Sequence, residues 1–178
     1  HYRAKYFVVH LTFLKGEYKM MSLFTKNIND VWFGIAYDGE KVFGTTFAFS
    51  EKRALQSLIE STPFNVPFQR SETASAFAER VIALLKDIYD GKGASGNVSL
   101  ATEHLSNYSR KVIKMVSLIP VGYVASYGSV AKAAGGSPRA VGRVMASNPF
   151  APIVPCHRVV SSDFTLGGYG GGLSVKLE

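Results

Sequence analysis

Cysteine is almost absent from this sequence, whose 178 residues include only Cys156. A single cysteine cannot form an intramolecular disulfide or a multi-cysteine zinc site, so the sequence predicts a protein of a reducing compartment, cytoplasmic or nuclear. The four histidines are scattered, and they cannot replace the missing cysteines as a zinc site. We therefore expect neither a metal ion nor another cofactor.

Long hydrophobic segments are also missing. No apolar run approaches the roughly 20 residues that a membrane-spanning helix requires. The stretch from Tyr6 to Leu14 is apolar, but His10 interrupts it and no small-x-small cleavage site follows. The sequence therefore predicts neither a membrane protein nor a secreted one.

Acidic side chains are few in the second half of the chain. Residues 1–97 contain 12 basic and 10 acidic side chains, whereas residues 98–178 contain 8 and 3. Most of the net charge of +7 therefore lies in the second half. Such a surface suits an anionic partner, either a phosphate-bearing molecule or an anionic lipid.

What is present is enough apolar sequence, 47% of the residues, to form a hydrophobic core. Residues 90–97 have the Gly-rich composition of a flexible linker and coincide with the change in charge. We therefore predict two domains, a β-rich support domain at residues 1–97 and a second domain at residues 98–178.

The first half contains short β-rich runs and then two segments with apolar residues at helical spacing. Asp38-Gly39 is typical of a hairpin turn, because both residue types tolerate positive φ. The pattern predicts an α+β fold with an antiparallel sheet of three or four strands, covered on one face by helices. The predicted strands are 6–13, 20–25, 31–37 and 41–49, and the predicted helices are 51–59 and 73–89.

The second half is predicted to be mostly helical. A helix at 108–119 precedes a short Ala-rich helix at 129–134, a tight turn at 135–137 and a second helix at 138–146. Ser137 is a good N-cap, and the proline after it is tolerated at the first helical position. This arrangement is typical of a helix-turn-helix.

Arg139 and Arg143 lie four residues apart and therefore share one face of the second helix. Small residues such as Ala140 leave that helix narrow enough to approach a groove, where guanidinium groups can meet phosphates or enter the base stack. The alternative is a plain helical hairpin whose arginines are only solvated.

Cys156 lies in the tetrapeptide Pro-Cys-His-Arg between two apolar runs. A lone buried cysteine is usually an inert small hydrophobic residue. His157 and Arg158, however, provide the cationic or proton-accepting surroundings that favour a thiolate. In an extended chain His157 would point away from Cys156 unless the chain turns, so we expect a bridging water. The glycine-rich residues 167–172 could wrap closely round a planar ligand.

Six short sequences in a fixed order carry a family resemblance. They are Ser126-Tyr127-Gly128, Arg139-Ala-Val-Gly142, Met145, Asn148-Pro149, Pro155-Cys-His-Arg158 and Gly168-Tyr-Gly-Gly-Gly-Leu173. From about Leu105 to Lys176 this order and spacing resembles the O6-alkylguanine-DNA alkyltransferases, also called methylated-DNA–protein-cysteine methyltransferases. The first half matches them only in general layout.

The resemblance implies a ribonuclease H-like first domain and a winged-helix-like second domain. It also implies DNA repair by direct reversal, in which a monomer binds the minor groove of duplex DNA and flips out the alkylated base. The alkyl group of O6-alkylguanine, or of O4-alkylthymine, would pass irreversibly to Cys156, so each molecule would act once. A fused or associated repair domain is compatible with this expectation.

The resemblance also assigns residue roles. Cys156 would be the nucleophile, His157 would accept its proton through water, Tyr127 would donate to guanine N3, and Asn148 would brace the active-site turn. The substrate pocket would be formed by Tyr127, Met145, Pro155, Val159, Tyr169 and Gly170. Arg139 would be the finger that fills the space left by the flipped base. The other DNA-binding residues would be Ser137, Ala140, Arg143 and Arg158.

One position departs from the family. Its histidine is oriented by a glutamate on the helix after the glycine-rich loop, and this sequence ends at Glu178, before that position. We expect the chain to be cut short there. Two other functions stay open, a DNA-binding regulator or lesion-recognition protein without chemistry and a Cys-His hydrolase. Cys156 argues against the first, and the lack of an orienting Asn or Asp argues against the second.

Overall fold

The computed structural model describes residues 20–63, 66–92 and 96–163. The predicted strand at 6–13 and the glycine-rich segment with Tyr169 and Gly170 lie outside them. The strands are β1 (Met21–Ile28), β2 (Val31–Asp38), β3 (Lys41–Ala48), β4 (Phe68–Arg70), β5 (Ser99–Leu100), β6 (Ala125–Ser126) and β7 (Val159–Val160). The helices are α1 (Glu51–Ser61), α2 (Ala76–Tyr89), α3 (Asn107–Ser117), α4 (Tyr127–Ala134) and α5 (Pro138–Ala146).

The first half contributes β1 to β4 to a five-stranded sheet in the order β4-β1-β2-β3-β5, and the edge strand β5 comes from residues 99–100, just beyond the predicted boundary. β1, β2 and β3 are an antiparallel meander, as predicted, and Gly39 supplies the positive φ of the second turn. The edge strands β4 and β5 pair in parallel with β1 and β3, so the sheet is mixed rather than purely antiparallel. Strands of three and two residues are too short to produce a recognisable alternation. The α+β class is confirmed.

The sheet, α2 and the helices of the second half share one hydrophobic cluster. It includes Phe33 of β2, Leu85 of α2, Val112 of α3 and Val141 of α5, and it extends to Cys156. Because the two halves bury apolar surface against each other, the first half gives the second a rigid support. The domain boundary at residue 97 stays a prediction.

Serine caps define where the helices of the second half begin. Ser106, Ser126 and Ser137 each accept a hydrogen bond from the backbone N–H three residues later, at the starts of α3, α4 and α5. The Ser126 cap makes α4 begin at Tyr127, two residues earlier than the Ala-rich pattern indicates. Gly135 and Gly136, with φ of 89° and 80°, form the turn between α4 and α5. The predicted helix-turn-helix is therefore present.

Within the described residues, no helix combines the length and the apolar character needed to cross a bilayer.

Candidate active site around Cys156

A two-stranded parallel ladder brings distant parts of the sequence together. Ala125 of β6 pairs with Val159 of β7, and Ser126 pairs with Val160. Tyr127 follows β6 directly, and Cys156 lies in the turn that directly precedes β7. The ladder thus sets the first residue of the helix-turn-helix beside the only cysteine.

Cys156 begins a single 3-10 turn, Cys156–Arg158, so the chain does turn here. Its N–H donates to the carbonyl of Val154 (2.8 Å), and the N–H of Arg158 donates to that of Pro155 (2.9 Å). The two proline-containing stretches before the turn have no regular spacing of apolar residues, so the sequence pattern does not predict these local hydrogen bonds. Because the chain turns here, the alternation of an extended strand no longer forces His157 and Cys156 onto opposite faces. Cys156 is only 3% exposed.

Tyr127 is half-buried, and its electrostatic neighbour is Cys156. Burial, and in second place the nearby Cys156, raises the pKa of the Tyr127 phenol above its ordinary value. The phenol is therefore protonated at neutral pH, as an ordinary tyrosine also is, and Tyr127 can act as a hydrogen-bond donor. A Cβ on Gly142 of α5 would lie 4.0 Å from Cε1 of Tyr127. α5 therefore passes within van der Waals reach of the ring.

Asn148 ties together the loop that leads to Cys156. Its Nδ2 donates to the carbonyl of Val154 (3.2 Å), and its Oδ1 accepts from the N–H of Phe150 (3.0 Å). Its own N–H donates to the carbonyl of Met145 at the end of α5. One side chain thus holds both ends of the loop next to the helix-turn-helix.

We expect Asn148→Ala to lower the free energy of unfolding by about 1–3 kcal/mol, because the substitution removes two partly buried hydrogen bonds and leaves the Phe150 N–H without its partner. Urea denaturation followed by circular dichroism measures this change. The control is Ser147→Ala, which removes the exposed hydroxyl bonded to the carbonyl of Arg143 and should cost less than about 0.5 kcal/mol. Equal losses for the two variants would show that Asn148 does not hold the loop.

The sheet holds this loop from the other side. The N–H of Thr45 in β3 donates to the carbonyl of Pro149 (2.9 Å), and the Thr45 hydroxyl donates to the carbonyl of Ala151 (2.8 Å). Sequence analysis did not identify Thr45. A threonine in a strand is unremarkable without the fold, and no local pattern could have singled it out.

The exposed side of the helix-turn-helix carries the predicted arginines. Arg139 and Arg143 on α5 are exposed, and so is the capping Ser137, while Ala140 is half-buried. The turn before them is held by Tyr108 of α3, another residue that sequence analysis missed.

The contact with Tyr108 fixes the two glycines of the turn. The Tyr108 hydroxyl donates to the carbonyl of Gly135 (3.0 Å). At Gly136 a Cβ would lie 2.6 Å from the Tyr108 oxygen, so the contact and the positive φ both require glycine there. α3 therefore sets the position at which α5 begins.

Arg158 points inward rather than toward the exposed face of α5. Its Nη1 donates to the carbonyl of Ile119 just beyond the end of α3 (2.9 Å), and burial lowers the pKa of its guanidinium. This bond ties the Cys156 turn to α3. The role of Arg158 in DNA binding stays a prediction.

The remaining predicted pocket residues in the described part are buried close to the turn. Met145, Pro155 and Val159 are all in this group. A cleft of about 530 Å³ opens beside the turn, and its lining includes Tyr89, Ile119, Pro155, His157 and Arg158. Within the described ranges, no group of three His, Cys, Asp or Glu side chains could hold a metal ion.

Fold and site together define an α+β protein in which a helix-turn-helix and a buried cysteine turn form one unit. Comparison with known proteins identifies the family. Residues 107–178 match the family described as "6-O-methylguanine DNA methyltransferase, DNA binding domain". The methylated-DNA–protein-cysteine methyltransferase of Thermococcus gammatolerans is 33% identical over 158 residues, covering 86% of this chain and 88% of the relative. The chain therefore belongs to the methylated-DNA–protein-cysteine methyltransferase family of DNA-repair proteins, which confirms the resemblance.

Solved structures agree with this assignment. The O6-methylguanine-DNA methyltransferase of Pyrococcus kodakaraensis is 31% identical, with a TM-score of 0.65 and coverage of 89% of this chain and 95% of that one. The Mycobacterium tuberculosis OGT in complex with DNA is 27% identical, with a TM-score of 0.69 and coverage of 87% and 88%. The match to the Methanothermobacter thermautotrophicus relative is more local, at 46% identity over 40% of each chain. The chain thus aligns with less than half the length of that relative.

Proposed function

We propose that this protein repairs alkylated DNA by taking the alkyl group from O6 of guanine onto Sγ of Cys156. The observation that carries the proposal is the buried cysteine turn, with the Tyr127 phenol beside it, next to a helix-turn-helix. Family membership supports it, as does the DNA complex of the Mycobacterium tuberculosis relative. The partner is duplex DNA bound at its minor groove.

The chemistry is a displacement at the alkyl carbon. The thiol proton passes through a water to His157, and the Sγ–C bond forms as the C–O6 bond breaks. The electron pair of the broken bond stays on the guanine, which then takes a proton at N1 and becomes ordinary guanine. A thioether is not a leaving group for any residue of the site, so each molecule reacts once. O4-alkylthymine is a substrate of the same kind.

Tyr127 assists the leaving group. Charge develops on the purine as the C–O6 bond breaks, and a donor aimed at N3 stabilises that charge most in the transition state. The Tyr127 phenol is protonated over the neutral range and can serve as this donor. Asn148, through its bonds to the loop, holds the cysteine turn in the geometry that attack requires.

The helix-turn-helix delivers the base. A guanine inside the duplex cannot reach a buried thiol, so it must be flipped out at a cost of a few kcal/mol. α5 starts at the Tyr108-pinned turn and presents exposed Arg139 near its first turn. The guanidinium fills the space in the stack, while Ser137, Ala140 and Arg143 lie along the backbone of the DNA.

We expect incubation with duplex DNA containing one O6-methylguanine to add the mass of one CH2 unit to the intact protein. Peptide mapping by mass spectrometry should locate the added group on Cys156. Undamaged duplex of the same sequence is the control and should leave the mass unchanged. An unchanged mass after incubation with the damaged duplex would overturn the proposed function.

A further inference from the structure

The region around the site has an unusual charge composition. Residues 104–162 contain no aspartate or glutamate, yet they contain seven lysines and arginines. Arg139 and Arg143 belong to the proposed DNA-reading helix, and Arg158 points inward. Three of the other four, Arg110, Lys111 and Lys114, are exposed on α3.

These three residues form one outer stripe of α3. The buried residues Val112, Ile113 and Val116 face the core, which leaves positions 110, 111 and 114 on the solvent side. A lysine-rich helix face is most often only solvated, and its charges are then usually offset by nearby carboxylates. Here the nearest stretch of sequence supplies none.

Ion pairing elsewhere in the described residues underlines the contrast. The side chains of Lys26, Lys41, Arg70, Arg80, Lys86 and Lys92 all contact carboxylates. All of these residues precede α3. Most basic side chains described in the first half are thus paired with carboxylates, Lys52 and Arg53 of α1 excepted, whereas α3 presents its basic charge to solvent next to the helix-turn-helix.

The position of α3 links the stripe to the start of α5. Tyr108, in the first turn of α3, bonds to Gly135 and contacts Gly136, and Arg139 follows the same turn. Arg110 and Lys111 are therefore close to the point where α5 begins, and Lys114 lies one turn further along α3. The exposed basic residues of α3 and α5 therefore flank the same turn.

We propose that Arg110, Lys111 and Lys114 form a second phosphate-binding surface, which holds the DNA backbone to one side of the damaged base. This inference rests on the proposed function. α3 adds affinity without reading sequence, because its lysines act as point charges on phosphates. It also fixes the angle of the duplex on the protein, since contacts on α5 and on α3 cannot both be kept if the duplex rotates.

The test uses the full chain with the double variant Lys111→Gln and Lys114→Gln. Glutamine keeps helix propensity while removing the charge. Binding to an undamaged duplex is measured by fluorescence anisotropy over a range of salt concentrations. Each lost phosphate contact should lower the magnitude of the slope of log K against log[salt] by about 0.9, so we expect a decrease of about two.

The matched control is Lys52→Gln with Arg53→Gln, which removes two exposed charges from α1. Its slope should stay that of the unmodified protein. The proposed phosphate contacts lie to one side of the damaged base. Shortening the duplex on that side removes the contacted phosphates, so the α3 variant and the unmodified protein should then have the same salt slope. Reaction with free O6-methylguanine base should be unchanged.

An unchanged salt slope in the α3 variant would overturn the proposal, and so would an equal change in the α1 control. Failure of the proposed function gives a different result. In that case the unmodified protein itself would gain no methyl group from damaged DNA, whatever the salt slopes are.

Discussion

Replacing Cys156 by serine is expected to abolish alkyl transfer while leaving DNA binding intact. A serine hydroxyl has nearly the same shape as the thiol, but it is a far weaker nucleophile at neutral pH. The turn is held by backbone bonds of residues 154–158 and by Asn148, none of which needs the sulfur. We expect the rate with an O6-methylguanine duplex to fall on the order of a thousandfold or more. Intact-mass measurements over time give this rate directly.

Anisotropy with undamaged duplex and near-UV circular dichroism are the controls for the serine variant. Both should match the unmodified protein, because Cys156 is buried and its neighbours are unchanged. Cys156→Ala, which removes the hydroxyl as well, should behave in the same way if the serine itself causes no disturbance. Methyl uptake by either variant would mean that the alkyl acceptor is another residue.

The general fold could be predicted because its main signals are local. The meander has a hairpin signature at Asp38-Gly39, and α5 has a serine cap followed by Pro138 at its start. The edge strands β4 and β5 were not predicted, since they exist only through pairing with distant strands. Their parallel pairing is a tertiary contact, which carries almost no trace in three or two residues.

The candidate site likewise has residues that could be predicted from the sequence and features that could not. Cys156, His157 and Asn148 occur in short sequences that carry the family resemblance, so they could be identified before the fold was known. The 3-10 turn at Cys156 could not, because it depends on contacts with Pro155 and Val154 in a stretch with no periodicity. Thr45 and Tyr108 act through hydrogen bonds to backbone carbonyls more than 25 residues away in the chain. Only the folded structure reveals such partners.

Arg158 has a structural contact that the sequence does not show. An arginine beside the nucleophile, in a basic half of the chain, was predicted to bind DNA. That role stays a prediction, but its guanidinium also donates to Ile119 at the end of α3, where the backbone carbonyls of a helix lack internal partners. The same bond couples α3 to the cysteine turn. A duplex held by both α3 and α5 would therefore contact two helices that are each tied directly to the site.

Arg139→Ala is expected to slow repair of duplex DNA without slowing reaction with the free damaged base. Flipping leaves a gap in the base stack, and an alanine cannot fill it. If the guanidinium recovers about 2 kcal/mol of the flipping cost, its loss slows the duplex reaction roughly thirtyfold. Free O6-methylguanine needs no flipping, and Arg139 is exposed on α5 rather than part of the buried cysteine turn. Single-turnover mass measurements with both substrates give the two rates.

The matched control is Arg143→Ala, which removes the second exposed arginine of α5. If Arg143 contacts only phosphate, its loss weakens binding, and low salt with excess protein restores the rate of repair. The same conditions should not rescue Arg139→Ala, because the missing step there follows binding. If Arg139→Ala slowed the duplex and free-base reactions equally, Arg139 would not be the residue that fills the gap left by the flipped base. If low salt fully restored the repair rate of Arg139→Ala, Arg139 would act only as a phosphate contact, like Arg143.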